Sequence, residues 1–198
     1  MIRRTNLLLS LVLPLLLVAC ATSGAPLNSD RIKTLFGSYG LTVLQQDEQQ
    51  RVSSLYSETE GKQVTRTFAL VEYIGEPRPE YRKIHEMIAA GASIGASFRR
   101  AGWEIRKQHL FIGELEVPAS YEVLGELMQL PLPESLAVHQ YLFVISNESR
   151  SFSYARITEV HHPEFADVGQ LRRWYGEIIL DDSNRDHIQE FIGPPPAK

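Results

Sequence analysis

Three stretches of the chain carry side chains that could do chemistry. Residues 89–97 read AAGASIGAS, with Ser93 framed as G-A-S-I-G, the spacing of a nucleophile elbow that raises a serine hydroxyl from a sharp strand-to-helix turn. Asp167 or Asp181, and then His187, follow it in an order that suits a serine, acid and base triad. The second stretch is HHPEF, where His161, His162 and Glu164 offer imidazole and carboxylate donors for a transition metal. The third is DDSNRD, in which Asp182, Asn184 and Asp186 match the first three oxygen ligands of a calcium loop.

Each stretch has to be weighed against its surroundings. The five letters resemble the elbow of the α/β-hydrolases, which implies a serine hydrolase acting through Ser93, but that elbow needs a buried strand before the turn. What precedes Gly91 is PEYRKIHEMIAA, where Tyr81, Ile84 and Ile88 recur at helical spacing. Pro79 suits a helix start, and Arg99, Arg100 and Gly102 suit its end, so the pattern predicts one helix from Glu80 to Ala101. On it Gly91 and Gly95 would form a narrow surface facing a close neighbour, where a leucine would clash. An upstream HGGG-type oxyanion segment is missing as well.

In HHPEF, adjacent histidines on a strand point to opposite faces, so one ion could not use both without irregular backbone and ligands from elsewhere. The plainer expectation is a strand-end turn at Pro163 with one exposed and one hydrogen-bonded histidine. The calcium match fails at its sixth position, His187, and its twelfth, Gly193. No metal or other cofactor is expected, and no catalytic residue.

The elements that would position these groups alternate simply. A short helix, DRIKTLF, capped by Asn28 or Ser29, stops at Gly37. Strands are expected at 41–45, 51–57 and 63–73, joined by short polar links that permit antiparallel hairpins. A long strand at 103–117 and a helix from Ser120 to Met128 follow. Then comes a hairpin of 136–146 with 151–160, its first strand central and its second half-exposed. Its aromatics, Tyr141, Phe143, Phe152 and Tyr154, are expected in the core; exposed, they would mark a partner surface. A helix at Val168 to Tyr175, a strand-like GEIIL and a terminal helix capped by Ser183 close the chain. The fold class expected is α+β, a single domain with a largely antiparallel sheet and helices packed on one face.

The N-terminus speaks about location. MIRRTNLLLSLVLPLLLVAC places Arg3 and Arg4 before an apolar run that ends at the only cysteine, Cys20. Leu17, Val18, Ala19 and Cys20 resemble the lipobox of bacterial lipoproteins. The resemblance implies a signal peptide over 1–19, lipidation with palmitate-type chains at Cys20, and membrane attachment through that lipid. Ala21, where retained lipoproteins resemble one another in having Asp, points to the outer membrane, facing the periplasm.

Residues 20–28 then read as a flexible tether, 29–193 as the periplasmic domain and 194–198 as a frayed tail. Removing Arg3 and Arg4 leaves 18 basic against 24 acidic residues, a net charge of -6 that argues against nucleic acid as a partner. With a single cysteine no internal disulfide can form, so packing must stabilise the fold. The expected role is that of an envelope lipoprotein, not an enzyme, acting through protein or ligand contacts. The alternatives are a serine hydrolase using Ser93 and a metal- or ligand-binding lipoprotein using His161 and His162.

Overall fold

Short polar links between apolar runs fold back as hairpins. The computed structural model describes residues 26–148, 150–177 and 184–188. β1 (Gly40–Gln46), β2 (Gln50–Thr59) and β3 (Lys62–Tyr73) form one antiparallel meander. Glu60 and Gly61, at φ 51° and 77°, make the two-residue turn between β2 and β3, the mirror-image turn whose twist matches the strands it joins. β4 (Glu104–Val117), β5 (Glu134–Asn147) and β6 (Arg150–His161) form a second antiparallel set. β3 pairs with β6, so the sheet runs β1-β2-β3-β6-β5-β4. The fold is α+β, built on one six-stranded antiparallel sheet.

This order corrects one expectation. β6 is not half-exposed; it lies between β3 and β5. Its Thr158, Glu159 and His161 are all buried against polar partners. A polar residue marks an exposed face only when nothing polar awaits it inside.

α1 (Asn28–Phe36), α2 (Arg82–Ala89), α3 (Ile94–Arg100) and α5 (Val168–Tyr175) cover one face of the sheet. There Phe98 meets the rings of Tyr81, Trp103, Phe143 and Tyr154, each at a centroid distance of 4.8–6.1 Å. Tyr141, Phe143 and Tyr154 are buried in this cluster and Phe152 packs against it, as the core-filling reading required. α4 (Glu122–Met128) lies on the reverse face, bringing Leu124 and Met128 to Phe68, Leu115, Val138 and Val160. Ile188, in a helical segment at 184–188, joins them.

The helix expected from Glu80 to Ala101 is two helices, α2 and α3. The chain breaks between them because Gly91 adopts φ 100° and Ser93 is extended at φ -67°, ψ 127°. Two glycines weaken a continuous helix by roughly 1 kcal/mol each relative to alanine, and the turn lets Ile84 and Ile88 of α2 and Phe98 of α3 pack into the same cluster on the sheet. Gly95 does face a close neighbour: a Cβ there would stand 2.7 Å from Leu27 Cδ1. Gly91 does not, since a Cβ there would meet nothing within 4 Å, and its need for glycine comes from its positive φ.

Gly37 ends α1 at φ 77°, as expected. Asn28 is not the cap but a buried first-turn residue, and the Asp30 carboxylate accepts from the Leu27 N–H at 3.1 Å instead. The end of GEIIL and the Ser183 cap lie outside the described residues, as do Cys20 and Asp182. Among the described residues no helix is long and apolar enough to cross a membrane.

Candidate functional site

Pairing of β5 with β6 sets His139 opposite Glu159, while His161 pairs with Ala137 on one side and Thr67 of β3 on the other. Alternation turns all three chemical side chains toward the helical face. Glu159, only 4% exposed, is the centre. Its Oε1 accepts from the Tyr141 hydroxyl at 3.0 Å. Its Oε2 lies 3.5 Å from Lys107 Nζ, 3.7 Å from His139 Nδ1 and 4.0 Å from His161 Nε2.

The far nitrogens of both rings are engaged. His139 Nε2 is 2.9 Å from His109 Nδ1, and His161 Nδ1 is 3.1 Å from Thr67 Oγ1. The near nitrogens, His139 Nδ1 and His161 Nε2, have no hydrogen-bond partner among the described residues. Lys107 stands over the Tyr141 ring at 4.1 Å and donates to the Tyr175 hydroxyl at 3.3 Å, which also accepts from Arg31 at 2.7 Å.

Burial governs the protonation of this cluster. It lowers the pKa of His139 to about 3 and that of His161 to about 4, so both rings are neutral at neutral pH. Burial by itself would raise the Glu159 carboxyl, but Lys107 and the two histidines outweigh it and hold the group well below the usual carboxylate range. A buried carboxylate, a cation and two neutral imidazoles therefore share one corner of the sheet.

Beside this cluster lies a cavity of about 90 Å³ between the sheet and helices α1 and α3. Leu41, Leu55, Val71, Ile94, Phe143 and Ile157 make apolar walls. Tyr39, Arg51, Ser93, Lys107, Tyr141 and Glu159 supply the polar lining. Arg51, opposite Val71 on β2, points into the helical side and is 1% exposed. It donates to Ser53 Oγ at 2.9 Å, to the Ile88 carbonyl at 3.1 Å and to the Ala92 carbonyl at 2.8 Å. The C-terminal carbonyl end of α2 thus gives the cation a fraction of a countercharge.

Among the described residues no carboxylate lies within ion-pair distance of Arg51. Burial lowers its pKa, opposed by the phenols of Tyr73, Tyr154 and Tyr39. Those of Tyr39, Tyr73 and Tyr154 are themselves raised by burial and carry no charge at neutral pH.

Ser93 lines the cavity just before α3, its hydroxyl facing the Tyr39 phenol. It follows a helix and a turn, not a strand. His187 is on the reverse face, between Gln140 at 3.3 Å and Glu72 at 3.2 Å, and Asp167 caps α5. Asp181 lies outside the described residues. The sheet itself separates Ser93 from His187, so these two do not make a nucleophile and base. A fluorophosphonate probe should give no Ser93-dependent labelling, and Ser93→Ala should change stability by no more than about 1 kcal/mol in urea denaturation.

His161 and His162 do point to opposite faces, but both are buried, which corrects the expectation of one exposed ring. His162 Nδ1 accepts the Glu164 N–H at 3.1 Å on the far side, where Glu164 pairs with Arg66 at 2.6 Å. The donors that do approach His161 are His139 and Glu159, which the sequence reading did not connect to it. The hairpin was visible, but folding it evenly about its turn sets His139 opposite Thr158. The irregularity between Phe143 and Val144 shifts the register by one and brings Glu159 there. No protein-family model and no curated protein matches the chain.

Proposed function

We propose that the chain is a lipid-anchored envelope domain, not an enzyme, which holds a small amphiphilic anion with its acidic group on Arg51 and its apolar body against Ile94, Phe143 and Ile157. One observation carries this reading: a nearly fully buried guanidinium with no carboxylate partner among the described residues borders a largely apolar cavity. A buried charge lacking a full counterion is costly, and an anionic ligand supplies the missing charge. A few placed polar groups among apolar walls also orient a small molecule in a binding cavity, and here Arg51, Tyr39 and Ser93 stand beside Lys107, Tyr141 and Glu159.

The lipobox-like segment supports attachment through Cys20 to the outer membrane, facing the periplasm, where amphiphiles are at hand. Cys20→Ser should abolish incorporation of labelled palmitate, and globomycin should block processing of the wild-type chain. Labelling that persists in the variant would contradict the anchor. For the ligand, solvent extraction of wild-type protein purified from envelopes should release an acidic amphiphile near one equivalent, with much less from Arg51→Met. Equal yields from both proteins would remove Arg51 from the account.

A further inference from the structure

We propose that His139 Nδ1, His161 Nε2 and Glu159 Oε2 form a three-ligand site for a divalent transition metal of the zinc class. The three residues are buried, and their donor atoms all lie within 4.8 Å of one another. The two imidazole nitrogens stand 3.7 and 4.0 Å from the same carboxylate oxygen. Those separations are too long for hydrogen bonds. They are a few tenths of an ångström wider than the roughly 3.3–3.4 Å between donors that share one tetrahedral ion at about 2.0–2.1 Å, so a small inward shift of the rings closes the site around a metal.

A second observation points the same way. Among the described residues neither near nitrogen has a hydrogen-bond partner, and both are buried, a costly arrangement for two polar atoms in one place unless something occupies the space between them. The far nitrogens are fixed by His109 and Thr67. With His139 Nε2–H donating to His109 and His161 Nδ1–H donating to Thr67, each near nitrogen carries a lone pair aimed at Glu159. Metal-binding histidines are oriented in this way, by a hydrogen bond to the nitrogen that does not ligate. Two imidazoles and one carboxylate leave a four-coordinate ion one further position.

Lys107 opposes the ion. Its ammonium lies 3.5 Å from the same Oε2 and stands in for the positive charge a metal would bring. It is therefore a competitor, and its removal should strengthen the site, which a purely structural lysine would not do. The site uses atoms distinct from Arg51 and survives or fails independently of the amphiphile reading.

The test is titration of chelator-stripped, full-length protein with Co²⁺, followed by displacement with Zn²⁺. Wild type should bind one equivalent with the intense visible absorption of four-coordinate cobalt. His162→Gln, on the opposite face, should bind equally. Glu159→Gln and His161→Gln should lose the absorption, and Thr67→Val, which frees the His161 ring, should bind about 10–100-fold more weakly. Lys107→Met should bind more than about tenfold more tightly. Circular dichroism of each variant separates loss of the site from loss of the fold, and the wild-type and Lys107→Met titrations need no ligand to be removed. Absence of saturable cobalt binding in both wild type and Lys107→Met would overturn the proposal, as would full binding in a folded His161→Gln.

Discussion

Metal-free protein should lose several kcal/mol of stability as the pH falls from about 6.5 to 4. Burial lowers His139 to about 3 and His161 to about 4, against 6.5 for a free imidazole. Between these values the unfolded chain takes up protons that the folded one refuses, so stability falls as pH falls. The contribution is complete above about pH 6.5 and is lost progressively toward the folded-state values. At about 1.4 kcal/mol per pKa unit, each histidine is worth on the order of 2–3 kcal/mol by pH 4.

Glu159 acts in the same direction at lower pH, because its carboxyl is held below the ordinary range and its contribution is lost progressively as the pH falls below about 4.5. Set against a typical total of about 5–15 kcal/mol, this loss brings the domain to the edge of unfolding. Urea midpoints measured in chelator at stepped pH should fall steeply over that window, and His139→Gln with His161→Gln should flatten the slope. A midpoint that does not move between about pH 6.5 and 4.5 would show that the two rings are not held neutral.

Arg51→Met should weaken binding of a small carboxylate by roughly 10–100-fold, the value of hydrogen bonds to a charged group, about 1.5–3 kcal/mol. The fold should not suffer in proportion. Arg51 gives up hydrogen bonds to Ser53, Ile88 and Ala92, but methionine relieves a buried cation that no described carboxylate offsets. A variant of equal or greater stability with weaker carboxylate binding is a result that a packing role alone does not produce. Thermal melting with and without ligand checks both halves at once.

Much of the scaffold is legible in the residues. Polar links at QDEQQ and ETEGK mark the first meander, and Gly37 marks a helix end that the structure reproduces. The site is less legible because it depends on long-range pairing. Glu159 and His161 fall on a strand that reads only as half-exposed until β3 and β4 supply Thr67 and Lys107. His139 meets Glu159 only through a one-residue irregularity that no local pattern announces. The G-A-S-I-G match was real as spelling, but its chemistry depended on a strand before it, and the chain places a helix there. Ser93 nevertheless reaches the cavity, as lining and not as nucleophile.

The central claim, an anionic amphiphile held by Arg51, is tested most directly by calorimetric titration of full-length wild-type protein in neutral detergent with hexanoate and with hexanol, protein-free micelles serving as the blank. The two ligands share an apolar body and differ in the charge that Arg51 is there to meet. Saturable binding of hexanoate at one equivalent, with hexanol at least about tenfold weaker, is the result this account requires. Equal binding of the two, or no saturable binding of hexanoate, would contradict it.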